Sequence, residues 1–197
     1  MKRTLAPLAL AALLFAHPAT ASVSLLLRYA ELIDETRVAV VVVPIRNESR
    51  WENGRIYTST VARVDKVIAG RIEVGNEITI RALGGIVGEV GQSVDGEPVF
   101  DRDRAALVFL RPIDGDSRYR VVGRAQGQFA IDTTSGMRKV RASRQVGTLI
   151  KRNVPNGPLA PAVLDHLRTP AFEKVEGKSL DELTSAFGAE WKRTHEK

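Results

Sequence analysis

The chain has 197 residues, a formal charge of +6, 44% hydrophobic residues and no cysteine. That length and apolar content suit one ordinary domain with a real core and speak against wholesale disorder. The missing cysteine excludes disulfides, thiol nucleophiles and zinc–thiolate sites together.

In chain order, the first segment reads as an address. Lys2 and Arg3 give a positive start, Leu5 to Phe15 an apolar run, and Ala19-Thr20-Ala21 a small-x-small cleavage site. This is the pattern of a signal peptide over residues 1–21, and the run is too short for a permanent membrane anchor. A cysteine-free exported chain points to a bacterial envelope or secreted protein, periplasmic or released. Loss of Lys2 and Arg3 lowers the charge from +6 to +4, since residues 1–21 hold no acid.

Ser24 to Glu35 has an apolar stripe of Leu25, Leu26, Tyr29, Leu32 and Ile33, which predicts an amphipathic helix capped by Ser22 or Ser24. The run Val38 to Val43 predicts a strand buried on both faces, closed by Pro44 and a polar turn through Asn47 to Gly54. Asn53-Gly54 is a strong hairpin signal. From Arg55 to Leu83 the alternation is of period two. Ile56, Thr58, Thr60, Ala62 and Val64 share one face, and Ile78, Ile80 and Ala82 follow the turn at Gly75-Asn76. The first strand of this pair is unusually long, as expected where one strand coils and serves two parts of a nearly closed sheet.

The glycines at 84, 85, 88 and 91 lack the Gly-Lys-Ser/Thr ending of a phosphate loop and predict a bulge or tight bend. Ala105 to Leu110 predicts a central strand, and residues 119–142 a short meander. Beyond Arg144 a turn-rich connector leads to a short helical stretch from Pro161 to Arg168. A final helix is introduced by Ser179-Leu180-Asp181-Glu182, which has capping-box spacing. Its stripe of Leu180, Leu183, Phe187 and Trp191 either docks on the barrel or belongs to a loose tail, and Gly188 suggests that order ends near there. The expected fold is therefore mainly β: a small, OB-like twisted antiparallel barrel of five to six strands over 22–143, with an N-terminal amphipathic helix. A linker and C-terminal helical extension would occupy 144–197.

A resemblance follows from Val38 to Val43, the Trp51-Glu52-Asn53-Gly54-Arg55 turn, Val64-Asp-Lys-Val-Ile-Ala-Gly70, Leu83-Gly84-Gly85-Ile-Val-Gly88, Leu107 to Leu110, Tyr119 to Gly123 and Gln126 to Phe129. Over residues 24–143 the chain resembles a group of uncharacterised exported bacterial β-barrel proteins. More distantly it is similar to the OB-type barrels of netrin-like modules and tissue inhibitors of metalloproteinases. The resemblance implies a fold and carries no functional residue across, because the inhibitors' zinc-meeting cysteine is absent.

The chemistry-bearing residues are sparse. After signal removal only His166 and His195 remain, neither placed for a Ser-His-Asp relay. Carboxylates gather at Asp95, Glu97, Asp101 and Asp103 and again at Asp114 and Asp116, without the spacing of a calcium hand. The predicted function is a non-catalytic binding module with no cofactor, no metal and no role in nucleic-acid binding. The alternative is a small exported hydrolase using the acidic loops or a bound metal. The candidate binding residues are Trp51 and Arg55 at the hairpin turn, and Arg138, Lys139, Arg141, Lys151 and Arg152 in a stretch, 133–164, that has no Asp or Glu. The turn would meet an envelope protein and the basic stretch an anionic surface. Trp51 packed over the barrel's open end, and a merely solvated basic face, are the competing readings.

Overall fold

The computed structural model describes residues 23–134, 136–152 and 168–196. Its elements, in chain order, are β1 (Val23–Leu25), α1 (Tyr29–Glu35), β2 (Val38–Glu52), β3 (Arg55–Ala69), β4 (Glu77–Leu83), β5 (Gly85–Val87), β6 (Val90–Gln92), β7 (Ala106–Pro112), β8 (Tyr119–Val121), β9 (Gln128–Asp132), β10 (Lys139–Ala142), β11 (Thr148–Ile150), α2 (Ala171–Val175) and α3 (Leu180–His195). The predicted signal segment, the stretch from Pro161 and His166 lie outside the described residues.

The protein is mainly β. Seven strands form one sheet in the order β10-β9-β7-β2-β3-β4-β8, and a further pairing of β7 with β8 makes the arrangement partly ring-like. The path β2, β3, β4, β8, β7 thus returns to β2. Its weakest link is β4 to β8, one parallel pair at Ile80 and Tyr119. The expected meander over 119–142 does not form. β8 and β9 both pair with β7, β8 at Leu110–Pro112 and β9 at Ala106–Val108, with the 3-10 turn Arg124–Gly127 between them.

The apolar run Val38–Val42 is buried on both faces because two cores need it. Val38, Val40 and Val42 point into the ring with Ala62, Ile80, Val108 and Leu110. Ala39 and Val41 point outward into a second core with Leu107, Phe109, Phe129, Leu32, Phe187 and Trp191. Phe109 sits at the centre of that second core, edge-on to Phe129 at 5.8 Å and to Phe187 at 4.8 Å between ring centroids.

Two boundaries differ from expectation. β2 does not stop at Pro44 but continues to Glu52. Its pairing with β7 ends at Val42, and its register with β3 slips between Pro44 and Arg46. The Pro44 carbonyl accepts from the Asp103 N–H at 3.0 Å. A strand residue's N–H and C=O point to the same edge, so proline's missing donor falls on the edge that β7 has already left. The N-terminal helix begins at Tyr29, not Ser24. Val23–Leu25 is drawn instead into a parallel pair with β11, and the Leu27 N–H is taken by Gln126 Oε1 at 2.8 Å. Tertiary pairing overrides the helical period there. The cap is Arg28, whose N–H is accepted by Glu31 at 3.0 Å.

α3 begins at the capping box read from sequence, with the Glu182 N–H donating to Ser179 Oγ. It docks. Leu180, Leu183, Phe187 and Trp191 are buried in the second core, and Trp191 Nε1 donates to the Thr36 carbonyl at 2.8 Å. Gly188 does not end the helix, which runs to His195; a Cβ there would lie 2.9 Å from the Ile68 carbonyl oxygen, so the glycine permits close approach of helix to sheet. The segment before α3 also covers the outer edge of β10: Val140 donates to Lys178, and Gly177 to Val140.

Candidate functional site

Past Val42 the long hairpin leaves the cover of β7 and its inner face changes character. Asn47 and Ser49 on β2 and Thr58 and Thr60 on β3 replace valines with hydroxyls and an amide. They satisfy one another and the chain that crosses them. Thr60 donates to Asn47 Oδ1 at 2.8 Å, Asn47 Nδ2 donates to the Phe100 carbonyl at 2.9 Å, and Thr58 Oγ1 donates to the Gly84 carbonyl at 2.7 Å. The small hairpin β5–β6 folds over this face. Gln92 Oε1 accepts the Ile56 N–H at 2.9 Å, and Gly85, at φ +136°, lies so close to Ser49 Oγ and Thr58 Oγ1 that no Cβ would fit. The glycine-rich stretch therefore makes a tight hairpin lid.

Between lid and strands lies a groove of about 710 Å³, with Ser49, Thr58 and Thr60 and the apolar Ile86, Val94 and Val99 among its walls. At this end of the molecule Trp51 is 51% exposed and Ile86 72%. Val90 of the same lid is 50% exposed and Val99 59%, so several apolar side chains face solvent around the groove.

On the opposite face of the tip a charge network ties three elements together. Glu52 accepts from Arg81 of β4 and, at 3.2 Å, from Arg118 in the β7–β8 turn, and Arg118 also donates to Asp116 at 2.7 Å. The Arg81 guanidinium lies 3.5 Å over the Tyr57 ring. Burial opposes ionisation of Glu52, but hydrogen bonds and charge from Arg81 and Arg118 outweigh it and hold its carboxyl below the ordinary glutamate range. Hydrogen bonds from Arg118 likewise lower Asp116. None of this was legible in the sequence, because the partners of Glu52 lie 29 and 66 residues away.

The structure does not gather the sequence-predicted residues into one site. Trp51 and Arg55 lie at the hairpin tip, both exposed. Arg138 is paired with Asp65 at 2.7 Å and Arg141 with Asp132 at 2.6 Å, beside a groove shared with Arg104 and Arg144. Lys139 is half-buried on β10. Arg152 pairs with Glu31 on α1, whereas Lys151 is exposed and without an ion pair among the described residues. Half of the stretch that looks purely basic in sequence, Arg138, Arg141 and Arg152, is thus answered by carboxylates that lie outside it.

The acidic loops are engaged with arginines. Asp101 meets Arg104 at 3.1 Å, Asp103 meets Arg102 at 3.7 Å, and Glu97 accepts from Arg124 at 2.7 Å and from the Leu83 N–H. Among the described residues no three His, Asp or Glu side chains are grouped to hold a metal. His195 stacks on Trp191 with ring centroids 4.7 Å apart, its Nε2 lies 2.9 Å from Arg37 and its Nδ1 3.0 Å from the Trp191 carbonyl. These contacts anchor the end of α3. Comparison of the chain with protein-family models, with curated proteins and with solved structures gave no match.

Proposed function

We propose that the protein is a non-catalytic binding module of the bacterial cell envelope or secreted fraction, built on an OB-type barrel, whose hairpin tip engages a protein partner. The signal-like segment in residues 1–21 supports export. The ring path β2-β3-β4-β8-β7, with its single parallel contact, supports the OB-type reading, a five-stranded and partly open barrel. The observation that carries the function is Trp51. It stands half-exposed on a tip held by the Glu52 network, with Ile86 on the lid still more open to solvent. Tryptophan is among the residues that most often dominate interface energetics.

The test is cross-linked capture from envelope extract by wild type, Trp51→Ala and Ile86→Ser, with each variant's thermal unfolding measured alongside. A partner recovered by wild type and lost from both folded variants supports the reading. Equal recovery by all three removes the tip as the binding surface.

A further inference from the structure

On the outer face of the ring, three arginines stand abreast on three neighbouring strands. Register sets Arg111 of β7 directly opposite Arg120 of β8. The parallel pair Ile80 and Tyr119 brings the next residues, Arg81 of β4 and Arg120, side by side. All three line one cleft of about 580 Å³ together with Tyr57 and Leu83; the carboxylates of Glu31, Glu35 and Glu97 line it too, each already paired with an arginine.

Like charges directly across a ladder are destabilising, so the row works against the fold that carries it. Its neutralisation is incomplete. Glu52 answers Arg81, and Glu35 answers Arg111 at 3.2 Å, in a pair whose side chains are 38% and 43% exposed and which solvent therefore weakens. Arg120 is exposed and has no ion pair or side-chain hydrogen bond among the described residues. The Nε–H groups of Arg81 and Arg111 are buried and find no acceptor there either. Buried donors left unpaired are unfavourable and add to the strain of the row, while the open, unpaired guanidinium of Arg120 is the group an oxyanion entering the cleft would meet first.

We propose that this row is a seat for a phosphoryl group carried by a small organic molecule, a site that shares Arg81 with the network beneath the hairpin tip but does not use Trp51. A carboxylate saturates one guanidinium fork. A phosphate monoester, with three terminal oxygens and a charge of about −1.5 to −2 at neutral pH, can take donors from several. Leu83 and the Tyr57 ring offer the organic part an apolar wall, and the cleft's size is that of ordinary small-molecule sites. Arg120 is the residue with nothing else to do.

The experiment is an amide-resolved NMR titration of the mature chain with inorganic phosphate, at ionic strength held constant with chloride. Saturable shifts centred on Arg81, Arg111 and Arg120 are expected. Arg120→Gln weakens binding by about tenfold or more. Arg144→Gln, which removes the same charge from a different groove, leaves binding unchanged. Without phosphate, Arg120→Gln melts no lower than wild type, because it relieves like-charge crowding, and phosphate no longer raises its melting temperature. Shifts that fail to saturate, or an Arg120→Gln titration equal to wild type, overturn the proposal. Once saturable phosphate binding is seen, sedimentation with vesicles containing phosphatidic acid, whose headgroup is a phosphate monoester, separates the sources. Arg120-dependent co-sedimentation assigns the phosphoryl group to a lipid headgroup, and no co-sedimentation assigns it to a soluble compound.

Discussion

The two ends of the β2–β3 hairpin are made from the same two strands and differ in nearly everything else. At the Val38–Val42 end every residue is buried, flanked by β7 and β3, with a core on each face. At the Asn47–Glu52 end β7 has gone, the inner face carries hydroxyls and an amide, and Trp51 is half in solvent. One hairpin, its register shifted where the two ends meet near Pro44, thus spans a region whose composition serves stability and a region whose composition serves access. The lower end holds the upper end still, which lets an apolar side chain project without collapsing.

The sharpest way to break this contrast is at the buried end. Phe187→Ala removes the ring that packs on Phe109 from α3 and should lower stability by about 3–5 kcal/mol in denaturant unfolding. A loss near zero would mean that α3 is not part of the core. Next comes the lid. Gly85→Val places a side chain where Ser49 and Thr58 already stand, at a φ that favours glycine, and should cost about 1–3 kcal/mol. Hydrogen exchange would show the loss concentrated in β5 and β6, with the Val38–Val42 amides still protected.

Smaller effects belong to the tip. Glu52→Gln loosens Arg81 and Arg118 and should cost no more than about 1 kcal/mol, as partly exposed ion pairs do. The same network fixes a sign for pH. Glu52 and Asp116 have folded-state pKa values below their ordinary ones, so their contribution is present above the ordinary values and is lost as pH falls through the lowered ones. Acid titration of the melting temperature should therefore fall less steeply in Glu52→Gln than in wild type. Trp51→Ala should be the mildest, within about 0.5 kcal/mol of wild type, because it touches access alone. A large loss of stability in that variant would mean that Trp51 closes the groove as a structural lid.

What the sequence discloses follows the same division. The buried strands are legible because burial on one face forces period-two alternation, as in Ile56 to Val64, and burial on both forces a continuous run, as in Val38 to Val42. α3 announces itself through Ser179, Glu182 and its apolar stripe. The start of α1 misleads, because Leu25 and Leu26 fit a helical stripe until β11 is there to pair with. Pro44 misleads too, since whether a proline ends a strand depends on which edge its absent donor would face. At the candidate sites little is legible beyond Trp51 itself. The Glu52 network and the arginine row exist only through strand register, which brings together residues far apart in the chain.

The strap at Gly177 to Ser179 has a consequence for how the chain tolerates trimming. It occupies the free side of β10, so a protein shortened before it would lose more than the helix behind it. Lys139 to Ala142 would become a bare ribbon of unpaired amides and carbonyls, and two shortened copies could zip together along it. Clipping by a protease in this region should then yield dimers or precipitate in place of a smaller soluble monomer.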